Sequence, residues 1–268
     1  MSDLAAFFET ARLPIMSEVS QSLVRTLNDP DASAAQIAAI ISKDPALTAN
    51  LLRMANSAQF GLSRQVLSLD HAITMLGMSR IRSLALSTSI STSFPTIPGL
   101  NRKAFWRYCM ACAGYAQWLA GGVGLDPQQA WLSGMMLRLG ELLIGQQSPE
   151  SLAQIEAEPT PSRVRWEREH EMFGFDEVQV TAVLARHWNF PEAIVTGLQS
   201  ASAPMTAVPF DKLAGVVHLA ALLADEASPT PDLVGELPLA LIQALALDRL
   251  WMVTHFPGAD SFIDVTSL

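Results

Sequence analysis

The sequence predicts an all-α fold, and three observations support this prediction. Apolar residues recur at helical spacing along the chain, whereas alternating runs of β-branched residues are nearly absent. Residues that cap helices stand just before many of these periodic segments. Half of the 268 residues are apolar and only 16% are charged, which excludes a disordered chain and allows a large buried core. We expect about a dozen helices.

The first predicted helices form an N-terminal group. Residues 15–27 carry apolar side chains at four-residue spacing. Three further helices are predicted to begin at the capping residues Ser33, Asp44 (followed by Pro45) and Ser68. Ser79 is the predicted cap of one more. The Ser-, Thr- and Pro-rich segment 87–99 is predicted to be a linker, which divides the chain into an N-terminal lobe, residues 1–95, and a C-terminal lobe, residues 96–268.

The C-terminal lobe begins with a long predicted helix. Asn101 is its predicted cap, and Gly121 with Gly122 its predicted end. Later helices are predicted to begin at Pro159 and Pro161, at Asp176, at Pro191 and at Asp211. An apolar tail, residues 237–256, is predicted to form one or two helices.

The most apolar segment of the chain is predicted to be a single helix over residues 128–145, with Asp126 as its cap. Because it is apolar on nearly every face, other helices have to surround it. The only charges inside it are Arg138 and Glu141, which are three residues apart and can meet on one face.

The charge balance argues against general nucleic-acid binding. The net charge is −9 and the pI is near 5, whereas binding of phosphates requires a basic face. Two groups of arginines offer local basic patches, namely Arg80 with Arg82, and Arg163 with Arg165 and Arg168. Their simpler interpretation is a solvated helix face.

The location of the protein is predicted from what its sequence lacks. No window of 18 residues is free of charged and polar interruptions, and the first residues do not have the pattern of a secretory signal. Two cysteines do not make a disulfide framework in a chain of this length. We therefore expect a cytoplasmic protein that binds neither membranes nor nucleic acids.

Two local patterns have both a functional and a structural interpretation. Cys109 and Cys112 form a C-x-x-C, which is typical of a redox pair or half a zinc site, but they lie mid-helix without a second pair and fit the core. His170 with its flanking glutamates offers a weak cation site or, more simply, a solvated face. His218, on an apolar helix, is predicted to be a hydrogen-bonded core histidine.

Several motifs of the N-terminal half resemble the HDOD family, the HD-related output domains of bacterial signalling proteins. These motifs are LPIMSEV (13–19), DPDAS (29–33), KDPALTANLLRMANSAQFGL (43–62) and VLSLDHAITMLGMSRIRSLAL (66–86). They stand in the order of the family, and the resemblance covers residues 13–200. It implies an HD-like helix bundle in two lobes, related to metal-dependent phosphohydrolases.

The resemblance also implies where a metal would bind. The HD superfamily holds its metal with His and Asp side chains, including an adjacent His-Asp pair. The run GMMLRLGEL (134–142) is similar to that motif, with Leu137 at the His position and Arg138 at the Asp position. Leucine has no ligand atom, and a guanidinium repels a divalent cation.

A second HD landmark is also incomplete in this chain. The run from Glu169 to Pro191 is similar to the family pattern, but Glu177 stands at a His position, and the expected later His pair falls in GLQSASAP (197–204). The loss of several ligands together implies a dismantled site that holds no metal or other cofactor. We predict that Arg138 instead pairs with an acid near the old metal position, Glu141 or Glu177.

The sequence thus predicts a non-catalytic bacterial signal-transduction module, a pseudoenzyme that acts through contacts with signalling proteins; a homodimer is also possible. The alternatives are a small-molecule or nucleotide sensor that binds between the lobes, and a residual metal-dependent phosphohydrolase. The candidate interaction or pocket residues are Asp44, Asn56, Ser57, Arg80, Arg82 and Arg138. The first three have an alternative role as cap and turn residues.

Overall fold

The computed structural model of the chain describes residues 3–56, 65–157 and 160–257. The regular structure of these ranges is helical, which confirms the predicted all-α fold class. The N-terminal helices are α1 (Asp3–Thr10), α2 (Glu18–Leu27), α3 (Ala34–Ile41), α4 (Pro45–Ala55), α5 (Leu69–Leu76) and α6 (Met78–Ser93).

The chain then continues with a second set of helices. These are α7 (Arg102–Val123), α8 (Pro127–Met136), α9 (Leu139–Gln147), α10 (Pro149–Ile155), α11 (Ser162–Phe173), α12 (Glu177–His187), α13 (Glu192–Gln199), α14 (Lys212–Ala224), α15 (Leu239–Ala244) and α16 (Arg249–Thr254). Two 3₁₀ helices, Pro204–Thr206 and Pro231–Gly235, lie on either side of α14.

Most of the predicted caps are confirmed, because their side chains accept hydrogen bonds from amides of the first helical turn. These residues are Ser33, Asp44, Ser68, Asn101, Asp126, Asp176 and Asp211. Asp176 also completes a reciprocal capping box with Gln179. The local signals for helix starts were therefore sufficient at these positions.

The beginning and the length of α6 differ from the prediction. The helix begins after Gly77 rather than at Ser79, and it continues to Ser93, through part of the segment predicted to be a linker. The buried hydroxyls there bond to carbonyl oxygens of their own helix, as Ser87 and Thr88 both do with Leu84, at 2.9 Å each. Because their polar groups are satisfied internally, these side chains pack like small apolar ones.

Helix α7 does not end at Gly121 and Gly122, which are both helical. It ends at Val123, and the next residue, Gly124, has a left-handed φ of 71°. Gly122 instead makes room for α16 and the segment before it, because a Cβ there would lie 2.9 Å from Leu247 and 3.1 Å from Trp251. A close packing contact, rather than a helix end, explains that glycine.

The predicted single helix over residues 128–145 is two helices, α8 and α9, with Leu137 and Arg138 between them. The hydroxyl of Thr181 on α12 accepts the N–H of Gly140 at 2.7 Å and lies 3.1 Å from the carbonyl oxygen of Leu137. This tertiary hydroxyl accepts a backbone N–H directly after the break. Leu137 and Arg138 thus lie at a bend, not inside a helix.

The helices enclose one continuous hydrophobic core. Helix α7 packs along α8 and α14, while α12 packs on α9 and α13. Helix α6 contacts α2, α4 and α5 of the predicted N-terminal lobe and also α8 of the C-terminal lobe, and the lobe boundary near residue 95 stays a prediction. No helix in the described ranges has the length and apolar character required to cross a membrane.

Candidate functional site

Six charged side chains meet where the bend between α8 and α9 faces α10, α11 and α12. We call this group the buried charge cluster; its members are Arg138, Glu141, Glu156, Arg165, Glu169 and Glu177. Four members are at most 2% exposed, while Arg138 is 14% and Glu156 34% exposed. Charges so deeply buried are stable only when they are paired and hydrogen-bonded.

Arg165 on α11 is the centre of the cluster. Its Nη2 lies 3.2 Å from Glu141 Oε1, and its Nε lies 3.2 Å from Glu169 Oε1 and 3.0 Å from Glu177 Oε2. Its Nη1 contacts Glu156 at the rim. One guanidinium therefore joins four carboxylates, which belong to α9, α11, α12 and the end of α10.

Arg138 is the second cation of the cluster. Its Nε lies 3.2 Å from Glu141 Oε2 and 3.5 Å from Glu177 Oε1, which confirms the predicted pairing with an acid at this position. Its guanidinium carbon also lies 4.2 Å from the ring centre of Tyr108, a cation–π distance. The bend between α8 and α9 thus places the Arg138 side chain between the ring of Tyr108 and the carboxylates of Glu141 and Glu177.

Further hydrogen bonds orient the carboxylates. Trp166 Nε1 donates to Glu177 Oε1 at 3.2 Å, and the backbone N–H of Glu177 donates to Glu169 Oε2 at 2.7 Å. The carboxylate of Glu177 therefore accepts a hydrogen bond from an indole, while the backbone N–H of Glu177 holds the carboxylate of Glu169 in place. These bonds fix the start of α12 against α11.

The start of α11 is held by a cap from a distant helix. The backbone N–H and the hydroxyl of Ser162 donate to the carboxylate of Asp225, at 2.8 and 2.7 Å. The Ser162 hydroxyl also lies 2.8 Å from the hydroxyl of Tyr108. Hydrogen bonds and the ring contact thus connect α14, α11 and α7 to Arg138.

The cluster has four carboxylates and only two guanidiniums, so it attracts protons. Burial raises the pKa of Glu141 to about 7, against the lowering effect of Arg165 and Arg138. Burial, followed by repulsion from Glu177, also raises the pKa of Glu169 well above its ordinary value. Burial lowers the pKa of both arginines, but the carboxylates, Glu177 first, more than reverse this, so both remain charged.

The residues at the degenerate HD positions do not fit a divalent metal. Leu137 is 1% exposed in the core and offers no ligand atom, and the two guanidiniums occupy the neighbourhood of the carboxylates. Among residues 3–56, 65–157 and 160–257, no group of three or more His, Cys, Asp or Glu side chains has the arrangement to hold a metal ion.

A comparison with protein families matches residues 13–204 to the HDOD domain. The chain belongs to the HDOD family. Its structure resembles that of a protein from Shewanella amazonensis SB2B with the provisional name phosphohydrolase, at 29% identity and a TM-score of 0.76 over 97% of this chain and 95% of the other. An HDOD domain protein of unknown function from Geobacter sulfurreducens matches at 24% identity and a TM-score of 0.71, over 82% and 75% of the two chains.

Two further relatives extend beyond the length of this HDOD chain. A Marinobacter aquaeolei VT8 protein, provisionally named a signal transduction protein, has the same fold at 20% identity and a TM-score of 0.77; the match covers 95% of this chain and 61% of that one. An uncharacterized protein of Treponema pallidum (strain Nichols) is 26% identical over 193 residues, which is 70% of this chain. The chain spans only 37% of the length of that curated relative.

The polar residues of the long HDOD motif have local structural roles. Asp44 accepts the N–H of Leu47 at 3.0 Å and caps α4. Asn56 is exposed; its side chain donates to the carbonyl oxygens of Leu52 and Val66, at 2.7 and 2.8 Å, and accepts the Val66 N–H at 2.7 Å. Both positions thus agree with the cap and turn interpretation. Ser57 lies outside the described residues.

The three candidate arginines do not converge on one pocket. Arg82 donates to the carbonyl oxygen of Thr26 at 2.7 Å and lines a cavity of about 120 Å³ between α2, α6, α8 and the start of α13. Arg80 is exposed, and Arg138 belongs to the buried charge cluster. The cavity is well below the roughly 300 Å³ of typical small-molecule sites, so it does not accommodate a nucleotide as it stands.

The prediction that Arg165 lies on a solvated face was wrong. Arg165 is 2% exposed, whereas Arg163 is 72% exposed. Helix α11 buries Ser162, Arg165, Trp166 and Glu169, which follow the i, i+3, i+4, i+7 spacing of a buried face. This spacing around Trp166 was the sequence signal that α11 has a buried face. The signal was missed because three of the four buried positions hold polar or charged residues.

The remaining candidate groups do not form sites. His170 and Glu171 are exposed while Glu169 points into the cluster, so the three do not assemble a cation site. Cys109 and Cys112 are buried free thiols, and burial raises the pKa of both. These cysteines therefore belong to the core.

The predicted hydrogen bond of the core histidine is present. Nδ1 of His218 lies 2.7 Å from the carbonyl oxygen of Ala201, and the ring lies 5.4 Å from that of Trp166. Burial lowers the pKa of His218, which favours the neutral ring. The prediction for this residue is confirmed.

Proposed function

We propose that this HDOD chain is a non-catalytic regulatory module, a pseudoenzyme that acts in signal transduction through contacts with other proteins. The observation that supports this most directly is the pairing of Arg138 and Arg165 with carboxylates where the HD superfamily holds a metal. The two guanidiniums supply positive charge of their own at that place.

The geometry of the cluster favours a structural role over a catalytic one. A catalytic metal site keeps an open position for water or substrate. Here guanidinium and indole nitrogens lie 3.0 to 3.5 Å from the carboxylate oxygens of Glu141 and Glu177, and the apolar side chain of Leu137 is buried in the core. The charges hold α9, α11 and α12 together.

Metal content and hydrolysis test the pseudoenzyme part of the proposal. The full chain, purified without chelators and without a His-tag, is dialysed against Mn²⁺, Fe²⁺ or Zn²⁺ and measured by elemental analysis. We expect far less than one ion per chain and no metal-dependent hydrolysis of bis(p-nitrophenyl) phosphate. One or two tightly bound ions per chain, with hydrolysis that Glu177→Gln abolishes and the exposed control Glu171→Gln leaves intact, would establish the phosphohydrolase alternative.

Affinity capture tests the role in protein contacts. The immobilised full chain is incubated with extract of the bacterium that encodes it, and bound proteins are quantified by mass spectrometry against a column of heat-denatured chain. We expect at least one protein to be enriched tenfold or more and retained at 0.3 M salt. A folded column that enriches nothing over the control contradicts this part of the proposal.

The sensor alternative has a separate test. A nucleotide that binds only the folded chain raises its melting temperature by mass action. Given the small cavity at Arg82, we expect cyclic and linear nucleotides at 1 mM to leave the melting temperature unchanged. A rise of several degrees that Arg82→Ala removes and Arg80→Ala retains would favour the sensor.

A further inference from the structure

Helix α1 is an amphipathic helix on the surface of the domain, before the segment that matches the HDOD family. Its apolar residues Leu4, Phe7 and Phe8 follow the i, i+3, i+4 spacing of a helix that lies on another surface. Leu4, Phe7 and Phe8 pack against the core, but no residue of α1 is fully buried. The helix is therefore attached by one partly covered face.

The turn between α11 and α12 forms the surface under α1. The ring centre of Phe7 lies 5.2 Å from that of Phe175, which in turn stacks on Phe173 at 5.6 Å. Gln147 at the end of α9 donates its side-chain N–H to the Phe7 carbonyl oxygen at 3.3 Å. We call Phe173, Phe175 and Gln147 the aromatic platform.

Gly174 lies in the turn between α11 and α12, next to α1. Its φ of +75° is the left-handed conformation that favours glycine, and a Cβ at this position would meet the carboxylate of Asp3 in α1. The turn itself requires the glycine, and the position of Asp3 shows that α1 lies directly against this turn.

The platform is continuous with the buried charge cluster. Phe173 ends the helix that carries Arg165 and Glu169, and Phe175 stands two residues before Glu177. A helix bound to the platform therefore contacts the turn that connects three members of the cluster.

The connection between α1 and α2 allows α1 to detach from the aromatic platform. Residues 11–17 form no helix, but their second half is anchored, since Trp188 Nε1 donates to the Pro14 carbonyl oxygen at 3.0 Å and Met16 is 3% exposed. The exposed Arg12 lies between α1 and this anchor. Leu13 also packs against the core, so movement of residues 11 and 12 alone would detach α1 and leave the rest of the chain in place.

We propose that α1 is a displaceable cover of the aromatic platform. When α1 leaves, the platform binds an amphipathic helix of a signalling partner that carries aromatic residues on its contact face, as α1 does. The partner role rests on the proposed function, while the platform and its cover do not. Helix α1 defines the chemistry that the platform takes: a short helix with an apolar residue and two phenylalanines at i, i+3 and i+4, and an acidic residue just before them.

Peptide binding tests this proposal with α1 itself as the probe. A fluorescein-labelled peptide of residues 1–12 is titrated with the full chain and with the pair Phe7→Ala and Phe8→Ala, and anisotropy is recorded. In the unmodified chain α1 competes at an effective concentration in the range of about 1 mM. We expect the alanine pair to bind the peptide at least tenfold more tightly. The control pair Ala6→Ser and Glu9→Gln, on the exposed face of α1, is expected to bind like the unmodified chain.

A variant of the platform shows whether the peptide binds where α1 lies. Phe173→Ala, added to the alanine pair, is expected to abolish peptide binding while circular dichroism shows a folded helical chain. A folded alanine pair that does not bind the peptide, or equal binding by the control pair, overturns the proposal. A dimer of the unmodified chain that the alanine pair dissociates also overturns it, because the platform would then serve a second copy. None of these outcomes depends on metal content or hydrolysis, which test the proposed function.

Discussion

Arg165 connects more of the structure than any neighbouring charge on α11. It is 2% exposed and contacts carboxylates from the end of α10 and from α9, α11 and α12. Moving such charges out of water is costly, and only their mutual attraction and hydrogen bonds offset that cost. Removing the central guanidinium is therefore strongly destabilising, because it leaves buried carboxylates uncompensated.

Replacing the central guanidinium should strongly destabilise the chain. Arg165→Met keeps much of the volume, but it leaves Glu141 and Glu177 with Arg138 and removes the guanidinium that pairs with Glu169. We expect the free energy of unfolding to fall by roughly 3–5 kcal/mol at pH 8, and by less at pH 5 where carboxylates take up protons. Urea denaturation measures this. Arg163→Met on the exposed face should change it by less than about 0.5 kcal/mol, and equal effects of the two variants would contradict the assignment.

Glu141 should make stability fall with rising pH. Burial raises its pKa from an ordinary value of 4.5 to about 7, so between these values the folded chain binds more protons than the unfolded chain. The stability that this proton contributes is fully present below about pH 4.5 and is lost as the pH rises through about 7. The slope for one proton is about 1.4 kcal/mol per pH unit at most.

Glu141→Gln is neutral at every pH and tests this dependence. We expect it to resemble the unmodified chain at pH 5 and to be more stable at pH 8, by on the order of 1 kcal/mol. Urea denaturation between pH 5 and 8 measures the difference, with the exposed Glu171→Gln as control. Parallel pH profiles for Glu141→Gln and the unmodified chain would show that Glu141 does not hold the proton.

At the scale of elements, α9 and α12 make the contact that determines the shape of the candidate site. A Cβ on Gly140 would collide with the backbone carbonyl of Glu177 and lie 2.9 Å from the side chain of Val180. The missing side chain therefore lets the two helices approach until Thr181 reaches the backbone of the bend. This approach brings Glu141 and Glu177 to the same guanidiniums.

Gly140→Ala should therefore destabilise the chain by at least about 2 kcal/mol, because rigid backbone has to move to admit the methyl group. Gly121→Ala is the matched control, since it lies in α7 with no atom within 4 Å of a built Cβ. We expect the control to stabilise the chain by about 0.5–1 kcal/mol, as alanine favours a helix. Thermal denaturation of both variants gives the sign of each effect, and a stabilised Gly140→Ala would refute the close contact.

At the scale of the whole molecule, the core is continuous across the predicted lobe boundary. Helix α6 packs on helices from both sides, and Arg82 on α6 also bonds to the end of α2 while facing the cavity next to α8. Apolar burial is the dominant stabilising term in folding, and here one core is shared. The two lobes are thus expected to depend on each other for stability.

The chain should accordingly unfold in one cooperative transition. In differential scanning calorimetry we expect a single peak whose calorimetric enthalpy equals the van't Hoff enthalpy within error. Limited proteolysis before the transition should not release a stable fragment that ends near residue 95. Two resolved peaks, or such a fragment, would show that residues 1–95 and 96–268 fold separately.

The amino-acid sequence by itself determined the fold class, most helix starts and the identity of the residues at the degenerate HD positions. These are local properties: a cap bonds to amides two or three residues away, and periodicity is visible within one helix. The pairing of Arg138 could also be predicted, because a cation beside an apolar run requires an acid, and Glu141 is three residues away.

Only the tertiary structure decided the bend between α8 and α9, the central place of Arg165 and the cover that α1 forms. Each depends on residues distant in the chain. Thr181 accepts a backbone N–H at the bend, Glu141 and Glu177 pair with the buried Arg165, and the ring of Phe7 packs against that of Phe175. Local helix propensity favours an unbroken helix and an exposed arginine, because it depends only on nearby residues and not on a partner about forty residues away. Packing between helices overrode it at these positions, because a buried charge or a free backbone group is stable only where such a partner satisfies it.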